Sequence, residues 1–199
     1  MDPVFTIPWP EFVVAERLAE LLPKKKGYPV LVPASRQEKG FDLAVLSKKD
    51  KTNRVITIQV KASRTYQGKQ PGERSKKMYF RYHTWFNRFE VPDEADFIVF
   101  VSTYALENGS GKKVRARWYK SCMLLFDRKE MKKIMKSCKT RSGKSDRIFG
   151  FGSNDPDKEI FQTRGNEHGK NVNFTDHLLN KNTVDRLHRV LADGESPIA

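Results

Sequence analysis

Apolar positions in residues 11–22, EFVVAERLAELL, recur at helical spacing, with Val14, Leu18, Leu21 and Leu22 on one face. Pro10 stands just ahead of this run and Pro23 just behind it, so an amphipathic helix is predicted between them. The pattern then shortens to strand period. GYPVLVPAS (27–35) reads as a short strand bounded by prolines, FDLAVL (41–46) as a second and RVITIQVKAS (54–63) as a third. The polar stretch SKKDKTN between the last two is too short for a crossover, so they form an antiparallel hairpin.

Further along, the pattern is less regular. Residues 64–77 are polar and basic, with Gly68 and Pro71-Gly72, and read as a loop. MYFRYHTWFNRFEV (78–91) alternates from Tyr79 to Tyr82 as a strand would, and then suits a helix or a loop. ADFIVFVSTY (95–104) is a buried strand, and KKVRARWYKSCMLLF (112–126) is one more strand or hairpin arm. DRKEMKKIMKSCK (127–139) is a basic helix with Asp127 as its N-cap. Residues 140–173, rich in Gly, Asn, Asp, Ser and Lys, read as a long loop or an irregular subdomain. TVDRLHRVLA (183–192) closes the chain as a helix, with FTDHLL (174–179) as a candidate beginning.

Helix, three strands, an irregular basic region and another strand give an α/β (α+β) chain with a mixed central sheet. The length of 199 residues fits one domain, with a core at about 11–104 and a basic strand–helix extension with an irregular C-terminal region at about 112–199.

Charge narrows the partners. The chain carries 38 Lys and Arg against 24 Asp and Glu, a formal net charge of +14, which attracts nucleic acid, acidic protein or anionic lipid. No apolar run is long enough to span a bilayer, and the N-terminal residues lack the pattern of a signal peptide. The two cysteines, Cys122 and Cys138, suit reduced thiols better than a disulfide framework, and no zinc spacing accompanies them. A cytoplasmic protein with no membrane partner is expected.

The candidate chemistry lies in the hairpin. Asp42 starts one strand while Gln59 and Lys61 end the next, and antiparallel pairing brings those ends together. A carboxylate, an amide oxygen and an ammonium therefore converge, and the backbone carbonyl of Val60 offers one more oxygen. Glu16 on the first helix supplies a second carboxylate if that helix packs across this end. Such hard oxygens suit Mg²⁺, with Mn²⁺ as an alternative, and a lysine beside them suits phosphodiester hydrolysis. A solvated strand end is the plain alternative.

AERLAELLPKKKGYPVLVPAS (15–35), GFDLAVL (40–46) and ITIQVKAS (56–63), in this order, resemble the core of the PD-(D/E)XK nuclease superfamily. The Q-x-K version is similar to the bacterial homing-endonuclease and restriction-endonuclease-like group. The resemblance implies a restriction-endonuclease-like core and a metal-dependent DNA endonuclease of restriction, homing or structure-specific type, with RNA left open. It implies Asp42, Gln59, Glu16 and the Val60 carbonyl as metal ligands and Lys61 as the catalytic lysine. A homodimer follows by analogy from the need to cut two strands. Gln59 stands where the family usually has an acid, so a catalytically inactive nucleic-acid-binding protein or a defence-system interaction component is the alternative.

Residues 61–90 interleave basic and aromatic side chains. Arg64, Lys69, Lys76, Lys77 and Arg81 are the candidate nucleic-acid contacts. The aromatics among them are expected mainly to face the core.

Overall fold

The computed structural model describes residues 9–33, 40–48, 54–68, 80–105, 119–140, 142–164 and 172–193. Within them the chain is α+β: three helices, α1 (Trp9–Leu21), α2 (Arg128–Ser137) and α3 (Lys181–Asp193), and eight strands. The strands are β1 (Val30–Leu31), β2 (Leu43–Ser47), β3 (Arg54–Gln67), β4 (Tyr82–Phe86), β5 (Phe97–Ala105), β6 (Tyr119–Asp127), β7 (Phe149–Ser153) and β8 (Phe161–Arg164). No helix among the described residues is long and apolar enough to cross a membrane.

β3 organises the fold. Its first half lies in one sheet between β2, antiparallel, and β5, parallel, with β1 and β6 outside them. Its last residues join a second sheet, pairing with β4, which continues through β7 to β8. β2 and β4 follow one another along the same edge of β3. The N–H of Asp42 reaches the Ile58 carbonyl, and beyond it the N–H of Gly68 reaches the Arg81 carbonyl. Ile58 and Gly68 are an even number of residues apart, so their backbone groups share an edge. β5 occupies the other edge as far as Arg64. Between Ile58, where pairing with β2 ends, and Thr65, where pairing with β4 begins, the first edge is a notch.

The two faces of the first sheet carry separate cores. One packs Val14, Leu18 and Leu22 of the α1 region and Val184, Leu187 and Leu191 of α3 against Leu43, Ile56, Ile58 and Val60. The other packs Ile98, Phe100, Leu124 and Phe126 against Phe86, Phe149 and Phe151 of the second sheet and Met131 of α2. Both longer C-terminal helices begin with side-chain caps. Asp127 accepts from the Glu130 N–H at 2.7 Å, and Asn180 accepts from Thr183 while Thr183 Oγ1 accepts the Asn180 N–H at 2.8 Å.

Three expectations change. β3 runs to Gln67 rather than stopping near Ser63, because β4 extends its ladder into the segment expected as a loop. The aromatic stretch becomes β4 from Tyr82 to Phe86, and Tyr79 lies outside the described residues. The Gly-rich region 140–173, expected to be irregular, contains β7 and β8. Two of its glycines are there for space. A Cβ at Gly150 would lie 2.6 Å from the Trp85 ring, and one at Gly152 would lie 2.8 Å from the Thr163 methyl.

Candidate functional site

Asp42 stands immediately before β2, at the mouth of the notch. Its carboxylate Oδ2 accepts the Val60 N–H at 2.7 Å, past the last β2–β3 pair. It also accepts the side-chain amide Nε2 of Gln59. That amide nitrogen lies 3.4 Å from the Val60 carbonyl oxygen. Three of the sequence candidates, Asp42, Gln59 and Val60, are thus drawn into one cluster. Gln59 is 7% exposed, so its amide is a buried polar group with a charged partner. A hydrogen bond to a charged group is worth about 1.5–3 kcal/mol, which makes the Asp42–Val60 contact a clamp on the end of the hairpin.

Alternation puts Thr57, Gln59, Lys61 and Ser63 on one face of β3. Thr57 anchors this row. Asp96 Oδ2 accepts the Thr57 N–H at 2.9 Å, the Thr57 hydroxyl donates to the Glu94 carbonyl at 2.7 Å, and the Asp96 N–H returns to the Thr57 carbonyl at 3.0 Å. This exchange fixes the register of β5 beside β3, with Gln59 opposite Ile98 and Lys61 opposite Phe100. Lys61 is half-buried. Among the described residues no ion pair engages its ammonium. Ser63 donates its hydroxyl to the Trp85 carbonyl at 2.5 Å and links the row to β4.

Glu16 is exposed on α1. That helix packs through Val14 and Leu18 on the face of β3 that carries Ile56, Ile58 and Val60, while Gln59 and Lys61 point to the opposite face. No hydrogen bond joins Glu16 to Asp42 or Gln59 among the described residues. Of the candidate nucleic-acid contacts, Arg64 is exposed on β3 and Arg81 sits beside β4, its guanidinium 5.3 Å from the Tyr82 ring centre. Lys69, Lys76 and Lys77 lie outside the described residues.

The donor set at the notch is oxygen-rich but carries a single acid. No three of His, Cys, Asp and Glu come together among the described residues. One carboxylate with a backbone carbonyl and an amide oxygen still suits Mg²⁺, which is held by one or two carboxylates and keeps several waters. The amide must turn for this, because its nitrogen now faces Asp42.

Sequence reasoning missed what lies next to the notch. A cavity of about 310 Å³ is lined by Ser63, Tyr66, Trp85, Asn87, Ile148 and Arg164. Trp85 and Tyr66 are 36% and 49% exposed, so these two rings do not face the core. The interleaving of basic and aromatic residues was visible in the sequence, but which face each ring takes depends on the β3–β4 register.

Compared with family models, curated proteins and solved structures, the chain matches none.

Proposed function

We propose that the chain is a Mg²⁺-dependent endodeoxyribonuclease with a restriction-endonuclease-like core, acting at the notch between β2 and β4. The observation that carries this reading is the convergence of Asp42, Gln59 and the Val60 carbonyl at the point where β2 leaves β3. The similarity of the ordered sequence segments to the PD-(D/E)XK superfamily supports the same assignment. Asp42 would hold the cation, with the Val60 carbonyl and the turned Gln59 amide as neutral ligands. A cation there supplies charge neutralisation at a phosphodiester. Lys61, on the Gln59 face, would orient the attacking water and offset charge on the phosphate. Glu16 lies on α1, across the opposite face of β3 from Gln59 and Lys61, and is not among the proposed ligands. The net charge of +14 favours a polyanionic substrate.

A second reading has its own observation. Gln59 donates to Asp42, so the pair is satisfied without a metal, as suits a nucleic-acid-binding protein that has lost cleavage. Relaxation of supercoiled plasmid with Mg²⁺, Mn²⁺ or EDTA separates the two. The nuclease reading expects nicking with either metal, none in EDTA, and none from Asp42→Ala or Lys61→Ala. Plasmid binding without nicking by the wild-type chain selects the second reading, and nicking that survives EDTA overturns the metal site.

A further inference from the structure

The sheet β3–β4–β7–β8 has one face turned to the second core, through Phe86, Phe149 and Phe151. Its other face carries a row of rings. Tyr66 of β3 and Trp85 of β4 lie 5.1 Å apart between centres, at 32°. Trp85 and His83 follow at 5.7 Å and 21°, close to parallel. Phe80 continues the row, edge-on to His83 at 5.9 Å and stacked on Phe161 of β8 at 5.6 Å. The floor beneath is glycine. Gly150 pairs with Trp85 and Gly152 with His83 across β4 and β7. The 2.6 Å approach of Trp85 to the position of a Cβ on Gly150 shows that the ring lies down over the strand.

Phe80 is buried, but Tyr66 and Trp85 are not core residues: among the described residues neither belongs to either apolar cluster. Nearly parallel rings, partly exposed and spread along a sheet, present π-faces to flat ligands. Positive charge flanks them. Arg64 precedes Tyr66 on the same face of β3, and Arg164 pairs with Gly150 at the far side. Arg164 is 52% exposed even though its Nε lies 3.5 Å from Asp146. His83 is held below its ordinary pKa chiefly by burial.

The row lies on the face of β3 opposite Lys61, and one cavity joins it to the strand edge at the notch. Ser63, on the Lys61 face and two residues beyond it, lines the 310 Å³ cavity together with Tyr66, Trp85 and Arg164. Arg64 is three residues from Lys61, about 10 Å along the strand.

We propose that this outer sheet face is a stacking platform for the unpaired bases of a single-stranded nucleic acid, with Tyr66 and Trp85 as the stacking rings and Arg64 and Arg164 as the phosphate contacts. Every base has a π-face, so the platform discriminates by strand state more than by sequence. A duplex keeps its bases stacked on one another and cannot offer them to the rings. The platform deepens the nuclease reading by naming a substrate with a single-stranded segment beside the notch, and it rests on that reading only for its link to cleavage.

Binding is therefore measured in EDTA, by fluorescence anisotropy, with labelled oligo(dT) and oligo(U) of about 15 nucleotides, within the range of a single-strand site, and with a DNA duplex of the same length. The wild-type chain should bind the single strands. Trp85→Ala and Tyr66→Ala should each weaken that binding about tenfold, as expected for loss of one stacked base. Trp85→Phe should keep most of it, and duplex binding should change little in any variant. The two single strands separate DNA from RNA as the source of the bases. Equal single-strand affinity in wild type, Trp85→Ala and Tyr66→Ala would overturn the platform, as would an equal loss on duplex. Binding is read in EDTA while nicking requires the cation, so a failed nuclease and a failed platform give different results.

Discussion

Replacing Gln59 with Glu puts a second carboxylate where the amide now donates to Asp42. The change nearly conserves shape, so its effect is electrostatic. Gln59 is 7% exposed, and two carboxylates in its place would lie about 4 Å apart, repelling by about 4 kcal/mol at an effective dielectric constant of about 20. The pair can escape by keeping one proton. For a Glu of ordinary pKa near 4.3 that costs about 3.7 kcal/mol at pH 7, which caps the loss. A loss of about 3–4 kcal/mol corresponds to a fall in Tm of about 10 °C for a chain of this size. The sign with pH follows. A carboxyl kept neutral in the fold but free to ionise when unfolded costs little below pH about 4.3, and costs more as pH rises. The deficit should shrink to about 1 kcal/mol at pH 5. Mg²⁺ should restore the variant, because a cation between the carboxylates removes the repulsion and binding to the folded state alone adds stability. Thermal melts of wild type and Gln59→Glu at pH 5 and 7, in EDTA and in Mg²⁺, carry the test. Equal melting in EDTA at pH 7 would refute the Asp42–Gln59 pairing, and a deficit that Mg²⁺ leaves untouched would refute the cation site.

Two further outcomes follow from other parts of the fold. Gly150→Ala sets a methyl 2.6 Å from the Trp85 ring and 3.2 Å from the Thr84 carbonyl, so it should cost about 1–3 kcal/mol and displace Trp85. A chemical melt followed by tryptophan emission reads both effects, and an unchanged midpoint would contradict the close approach. His177 stacks on Phe126 at 4.3 Å, with Nδ1 3.2 Å from the Arg186 guanidinium and Nε2 3.4 Å from Glu130. Burial lowers its pKa against the pull of Glu130, with Arg186 adding to the lowering. The folded ring holds its proton less tightly than the free one, so stability present above about 6.5 should be lost as pH falls from there through the lowered folded value. His83, also lowered, adds to the same trend. His177→Gln should flatten the melting profile between pH 7.5 and 5.5, and a profile matching wild type would contradict the assignment.

The hairpin and its end were legible because strand period, a short polar connection and the Asp42 and Gln59-Val60-Lys61 positions all act locally. The same holds for α2, whose cap Asp127 adjoins its own helix. What the sequence did not reveal depends on pairing between distant segments. β7, with Phe149, Gly150, Phe151 and Gly152, has the composition of a loop and becomes a strand because β4 and β8 flank it. The placement of Glu16 depended on which face of β3 α1 covers, and the helical pattern of α1 alone does not specify that. Tyr66 and Trp85 read as core aromatics in the sequence, and the register places them on the face away from the second core, with Trp85 beside Gly150.

The central claim is that the notch holds a divalent cation through Asp42. Calorimetric titration of Mn²⁺ into the wild-type chain, Asp42→Ala, Gln59→Leu and Gln59→Glu tests it most directly. Binding should be tightest in Gln59→Glu, weaker in wild type, weaker again in Gln59→Leu, and absent in Asp42→Ala. Equal affinity in all four, or no heat of binding in wild type and Gln59→Glu alike, would contradict it.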